Sequence, residues 1–171
     1  MDKVTYGHID VIWDTDFHNY EYIKQPLKEE EMTKWRSLGY YHESFSGGMY
    51  DSRQPMPDWT ETVAEQIGLT NAGFVFYKMQ TLDIMPNHVD HFETYCRVFE
   101  VDRKDVYRAL LFLEDWSGGQ YLEANHKAIT NWKAGDFVLW QADVDHASSN
   151  IGTKDRYALQ ITGTLIDGRF K

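Results

Sequence analysis

Hydrophobic and polar positions follow one rhythm up to residue 72 and a different one beyond it. The earlier part is mixed and partly helical. Pro26 to Leu38 predicts a helix: proline stands near its start, Glu29, Glu30 and Glu31 fill the first turns, Lys34 and Arg36 come late, and Gly39 suits the C-terminal cap. Thr60 to Ile67 predicts a second helix, with Asp58 and Glu61 as a capping box and Gly68 as its stop. Residues 7–13 (GHIDVIW) read as a short strand from their β-branched and aromatic content, and residues 45–57 as a Gly/Pro-rich loop. From Gly73 onward, short apolar runs predict strands at 73–84, 88–92, 107–114, 119–124, 137–142, 146–150 and 156–166. Turn residues break them at Pro86-Asn87, 116–119, 133–136 and 152–155. A short strand near 128–132 brings the count to about eight, the number in a double-sheet jelly roll. Helices first and strands afterwards imply an α+β fold, mainly β, with the helices packed outside one sheet.

Length fits a single domain over 1–171, since 171 residues can bury one substantial core but not two ordinary ones. Residues 1–72 would supply a strand and supporting helices, and residues 73–165 the jelly-roll core. Six Trp, eleven Tyr and nine Phe fill an interior easily. A net charge of −10 makes nucleic acid an unexpected partner, because phosphate binding rests on Lys and Arg. Cys96 is the single cysteine, so neither an intrachain disulfide nor a cysteine-based zinc site can form. The N-terminal stretch lacks the basic start and apolar run of a signal peptide, and no apolar segment approaches the roughly 20 residues that span a bilayer. The expectation is a soluble cytoplasmic protein with no membrane partner.

The candidate chemistry lies between Asn87 and Arg156. His88-Val89-Asp90 on a strand would put both side chains on one face. His146, from a distant strand, would complete two histidines and one carboxylate, the facial set that holds Fe(II) and leaves positions open. Arg156 follows ten positions later, where its planar guanidinium can bind a carboxylate through two parallel hydrogen bonds. Iron with an anchored dicarboxylate is the chemistry of 2-oxoglutarate-dependent oxygenation. Each residue alone has an ordinary reading: a surface His–Asp pair, a satisfied core histidine, a surface arginine. His8-Ile9-Asp10 repeats the motif upstream of both helices, and His91-Phe92-Glu93 offers a competing pair of opposite strand parity.

Four segments in order, His88-x-Asp90, LLFLEDWSGGQYLE (110–123), AGDFVLWQADVDH (134–146) and GTKDRYALQITG (152–163), resemble the double-stranded β-helix core of the Fe(II)/2-oxoglutarate oxygenases. The resemblance is particularly to the branch that includes the prolyl 4-hydroxylases, and residues 47–59 are similar to segments of small phage-type members. The resemblance covers residues 73–165 and implies that His88, Asp90 and His146 bind Fe(II), the catalytic metal. It implies that 2-oxoglutarate, the cosubstrate, lies with its far carboxylate on Arg156, supported by Tyr77 or Gln80. Strand parity prevents both of these from pointing inward. A prolyl peptide or a small molecule would be hydroxylated by molecular oxygen, with succinate and CO2 as products. A carboxylate at 90 favours hydroxylation over halogenation, for which related enzymes carry a small residue there. Leu111 and Phe112 occupy the place of a further polar support. Tyr95, Arg97 and Arg108 are candidate substrate contacts, Tyr107 shares the start of the strand with Arg108, and the 92–106 connection would overhang the pocket. Trp116 and Trp140 read as core or rim packing. Two rival readings remain: a metal-binding cupin, which His146-x-x-x-Asn150 partly matches, and a jelly-roll binding protein without catalysis.

Overall fold

The structure, a computed structural model, describes residues 3–25, 27–40 and 45–166. Its strands are β1 (Val4–His8), β2 (Ile23–Lys24), β3 (Gly48–Asp51), β4 (Leu69–Met79), β5 (Ile84–His88), β6 (Val106–Phe112), β7 (Gln120–Ala124), β8 (Lys127–Ile129), β9 (Asp136–Gln141), β10 (His146–Asn150) and β11 (Arg156–Leu165). The helices are α1 (Glu29–Ser37), α2 (Trp59–Ile67) and α3 (Glu93–Phe99). Two sheets form, one ordered β1-β9-β6-β11-β4-β3-β2 and the other β5-β10-β7-β8. The pairs along both run antiparallel. Strands β4 to β11 are the expected jelly roll, a double-stranded β-helix, and β1 to β3 widen its larger sheet.

Side-chain alternation divides the larger sheet into two working faces. On β11, Tyr157, Leu159 and Ile161 join Phe74, Phe76 and Leu111 against Val63, Ala64 and Ile67 of α2. The other face meets the smaller sheet: Leu110, Phe112, Val138 and Ala158 pack with Leu122 and Ala124. Trp132 stacks on Phe112 there at 3.9 Å between ring centroids. Helix α2 covers one side of the larger sheet, and the cavity lies on the other side, toward the smaller sheet.

Several boundaries differ from those read along the chain. The first strand is Val4–His8 rather than 7–13, because Ile9 and Trp13 leave the sheet to enter the α2-side core. Within the Gly/Pro-rich loop, residues 48–51 pair with β4 as a strand. The helix start at Pro26 lies outside the described residues, and α1 begins at Glu29 and ends before Gly39, whose φ of +93° suits the left-handed cap. Gly68 closes α2 in the same way. The capping box is not made: Asp58 has helical dihedrals and no capping bond, and Thr60 instead donates to the Pro57 carbonyl through both its amide and its hydroxyl. The strand expected at 88–92 is β5, which runs through Pro86-Asn87 and stops at His88. Proline is tolerated because β5 is an edge strand, where a missing N–H breaks no ladder. The 92–106 connection contains α3 and a 3-10 turn, Arg103–Asp105.

Candidate metal centre

Strands β5 and β10 are paired neighbours, and His88 and His146 face each other in register. Their rings lie 4.2 Å apart between centroids. Asp90 is not on the strand with His88; the chain turns after β5 and returns its carboxylate to the same place. Asp90 Oδ1 is 4.0 Å from His88 Nε2, and Asp90 Oδ2 is 3.8 Å from His146 Nε2. All three ligand atoms lie within 4.8 Å of one another, close enough to hold a metal ion. The tautomers are set by the backbone. His88 Nδ1 is 2.8 Å from the Pro86 carbonyl and His146 Nδ1 is 3.1 Å from the Val144 carbonyl. A carbonyl can only accept, so each Nδ1 carries the proton and each Nε2 keeps a lone pair for the centre.

The electrostatics suit a cation. Burial pushes the His146 pKa down to about 4, against a smaller opposing pull from Asp90, so the ring is a neutral ligand at neutral pH. Burial would keep a proton on Asp90, but Arg108, then His146 and His88, outweigh it and hold the carboxyl below its usual range. Arg108 Nε donates to Asp90 Oδ2 at 3.2 Å, and Arg108 Nη1 donates to Gln160 Oε1 at 3.2 Å. Trp35 of α1 stands edge-on to His88 at 6.3 Å.

A cavity of about 110 Å³ joins this cluster to Arg156. Arg156 is 3 % exposed, and no carboxylate pairs with it among the described residues. Its Nη1 donates to the Tyr121 carbonyl at 2.8 Å, its Nη2 meets the Met79 sulfur at 2.8 Å, and its Nε has no partner. Burial lowers its pKa to about 10, and nearby Tyr77 opposes the fall. Tyr77 lines the same cavity; its hydroxyl accepts from the Gly47 amide at 2.7 Å and shares a hydrogen bond with Ser46 Oγ.

The other expectations divide. Gln80 lies past the end of β4, exposed, with its backbone N–H donating to Asp83 Oδ2, so of the pair Tyr77 alone lines the cavity. Arg108 faces the site, whereas Tyr107, one position earlier, packs on the α2 side. Tyr95 lines an outer groove that includes Asp90 and Arg108, and donates to the Asn71 carbonyl. Arg97 is exposed and borders neither space, because it lies on the outward side of α3. Leu111 and Phe112 supply no polar support; Gln160, Ser46 and Ser148 line the cavity in that role. Trp116 donates to the Gln120 carbonyl at the rim of a different space, and Trp140 forms a cavity wall beside His146. His91 is exposed, Glu93 pairs with Lys28, and His8 pairs with Asp136, so the competing motifs build no cluster. Asn150 closes a turn, donating to the carbonyls of Met79 and Lys154. Gln160 and Arg103 were not anticipated. The signal for Gln160 was present, since it shares strand parity with Arg156.

No family model matches the sequence, and no curated protein matches it. Solved structures do. A prolyl-4-hydroxylase from Pseudomonas putida aligns over 97% of this chain and 94% of its own, with a TM-score of 0.57 at 14% identity. A predicted oxalate decarboxylase from Thermotoga maritima aligns over 69% of this chain and 80% of its own, with a TM-score of 0.43 at 15% identity. A cupin protein from Bacteroides fragilis aligns over 63% and 76%, with a TM-score of 0.40 at 14% identity. The first of these likenesses supports the fold, a double-stranded β-helix, and identity this low establishes the fold alone. No helix among the described residues is long and apolar enough to cross a membrane.

Proposed function

We propose that this chain is an Fe(II)- and 2-oxoglutarate-dependent oxygenase that hydroxylates a small molecule or a peptidyl residue. The observation that carries the reading is Arg156, a buried guanidinium without a counter-ion among the described residues, across one cavity from two histidines and a carboxylate. A buried charge is costly unless it is paired, and a ligand carboxylate would supply the pair. His88, Asp90 and His146 fit iron: two imidazole Nε2 atoms and one ionised carboxylate, lining one cavity.

Bound iron with its cosubstrate would supply the oxygen chemistry, in which O2, 2-oxoglutarate and a substrate C–H give the hydroxylated substrate, succinate and CO2. The chain's own residues would do the rest. Arg156 would hold the far carboxylate of 2-oxoglutarate through its guanidinium, with Tyr77 and Ser46 on the adjoining wall to orient it. Leu110, Leu122 and Trp140 would keep water from the reacting groups. Arg108 would hold one oxygen of Asp90 and leave the other free to bind. The outer groove at Asp90, Phe92 and Tyr95 gives a substrate a way to the centre.

The test is anaerobic titration of metal-free protein with Fe(II) and then 2-oxoglutarate, followed by assay of succinate. The visible band of the iron–2-oxoglutarate chelate should form in the wild type and be absent in His146→Ala. Iron binding with no band and no succinate would instead favour a cupin-like metal protein. A folded protein that binds no iron would refute the metal centre.

A further inference from the structure

Arg103 lines none of the spaces described above, yet it touches the Asp90 segment and the turn that leads to His146. Asp90 stands beyond the end of β5, where strand pairing no longer fixes its position. His146 begins β10 after a turn from β9 that also provides the Val144 carbonyl for its Nδ1. From the 3-10 turn ahead of β6, Arg103 donates through Nε and Nη2 to the Asp90 backbone carbonyl at 3.2 and 2.8 Å. The same Nη2 donates to the Ala142 carbonyl at 2.6 Å, at the start of the β9–β10 turn. The Ala142 amide in turn donates to the Val106 carbonyl at 3.1 Å. Both backbone polar groups of Ala142 are therefore held by residues 103–106.

We propose that Arg103 is a positioning residue. One guanidinium would tie the Asp90 segment to the β9–β10 turn and so set the spacing between the Asp90 carboxylate and the His146 imidazole, without touching metal or substrate. The inference rests on the metal-centre reading. Its physical basis is preorganisation: a carboxylate on an untethered turn must be ordered when the ion binds, and that cost weakens binding. A planar fork reaches two carbonyls in fixed directions, which a lysine ammonium on its flexible stem matches poorly.

The experiment is Co(II) titration, read by visible absorption, of wild type, Arg103→Met and Arg103→Lys, with thermal melts of each metal-free protein. Arg103→Met keeps the apolar stem and loses the donors. Its Co(II) affinity should fall about 10- to 100-fold, the range for lost outer-shell partners, at temperatures where its melt shows it folded. Arg103→Lys should fall between the two. A lowered melting temperature with wild-type Co(II) affinity in Arg103→Met would overturn the proposal, leaving Arg103 a fold-stabilising residue only. Should Arg103→Met not fold, Arg103→Lys decides: weakened affinity supports the proposal and wild-type affinity overturns it. Folded wild type that takes up no Co(II) refutes the metal centre itself, and the role of Arg103 with it.

Discussion

Arg156 is the side chain whose energetics depend most on what enters the cavity. Its guanidinium is buried and, among the described residues, lacks a carboxylate and leaves Nε without a partner. A buried charge without a partner charge costs stability, and an apolar side chain of similar length removes that cost. Arg156→Met should therefore melt no lower than wild type without ligands. Its 2-oxoglutarate affinity should fall roughly ten- to a hundredfold, since a hydrogen bond to a charged group is worth about 1.5–3 kcal/mol. A parallel loss of apo stability would mean that Arg156 serves the fold instead. At this scale the sequence was informative about chemistry and ambiguous about place. His8-x-Asp10 and His88-x-Asp90 are alike as strings, but the first histidine is spent on Asp136 at 2.8 Å and the second faces His146 across a strand pair. Tyr77 and Gln80 were separable only once β4 ended at Met79.

Elements place these residues by two different means. Strand pairing carries His88 and His146, and parity carries Tyr77, Arg108, Arg156 and Gln160; all are readable from alternation once the strands are known. Asp90 arrives by a turn after β5, so its carboxylate stands beside the two histidines without sharing a strand face with His88. Helices contribute unequally. Ile67 of α2 is 1 % exposed and packs on the face of the larger sheet away from the cavity. Ile67→Ala should cost about 2–5 kcal/mol in chemical denaturation and leave the metal affinity of the folded protein unchanged. Trp35 is the one buried residue of α1, and it packs on Phe45 and beside His88. Trp35→Ala should cost about 3–5 kcal/mol, the usual range for an aromatic truncated in a core, and should also weaken metal binding by freeing the His88 ring. Unchanged affinity would show that the Pro86 carbonyl alone holds that ring.

For the whole molecule, the larger sheet separates two duties. Its α2 face carries an apolar core, and its other face carries the cavity with Arg108, Arg156 and Gln160 among apolar neighbours. A ligand that binds the folded chain alone stabilises it by mass action, about 2.7 kcal/mol at a hundred times its dissociation constant. Mn(II) or Co(II) should therefore raise the melting temperature of wild type, and His146→Ala should lose that rise. A wild-type melt indifferent to both metals would count against the centre. The sequence by itself determined the fold class, the strand-rich second part and the residue types of the site, because period-two alternation and donor chemistry are local properties of the chain. It did not determine that Pro86 lies within a strand, that a helix interrupts 92–106, or that Arg103 joins two ligand-bearing segments. Those features depend on which strand is an edge, where a turn folds back, and which carbonyls of distant segments come within reach of one guanidinium. They are set by tertiary packing, which no local pattern encodes.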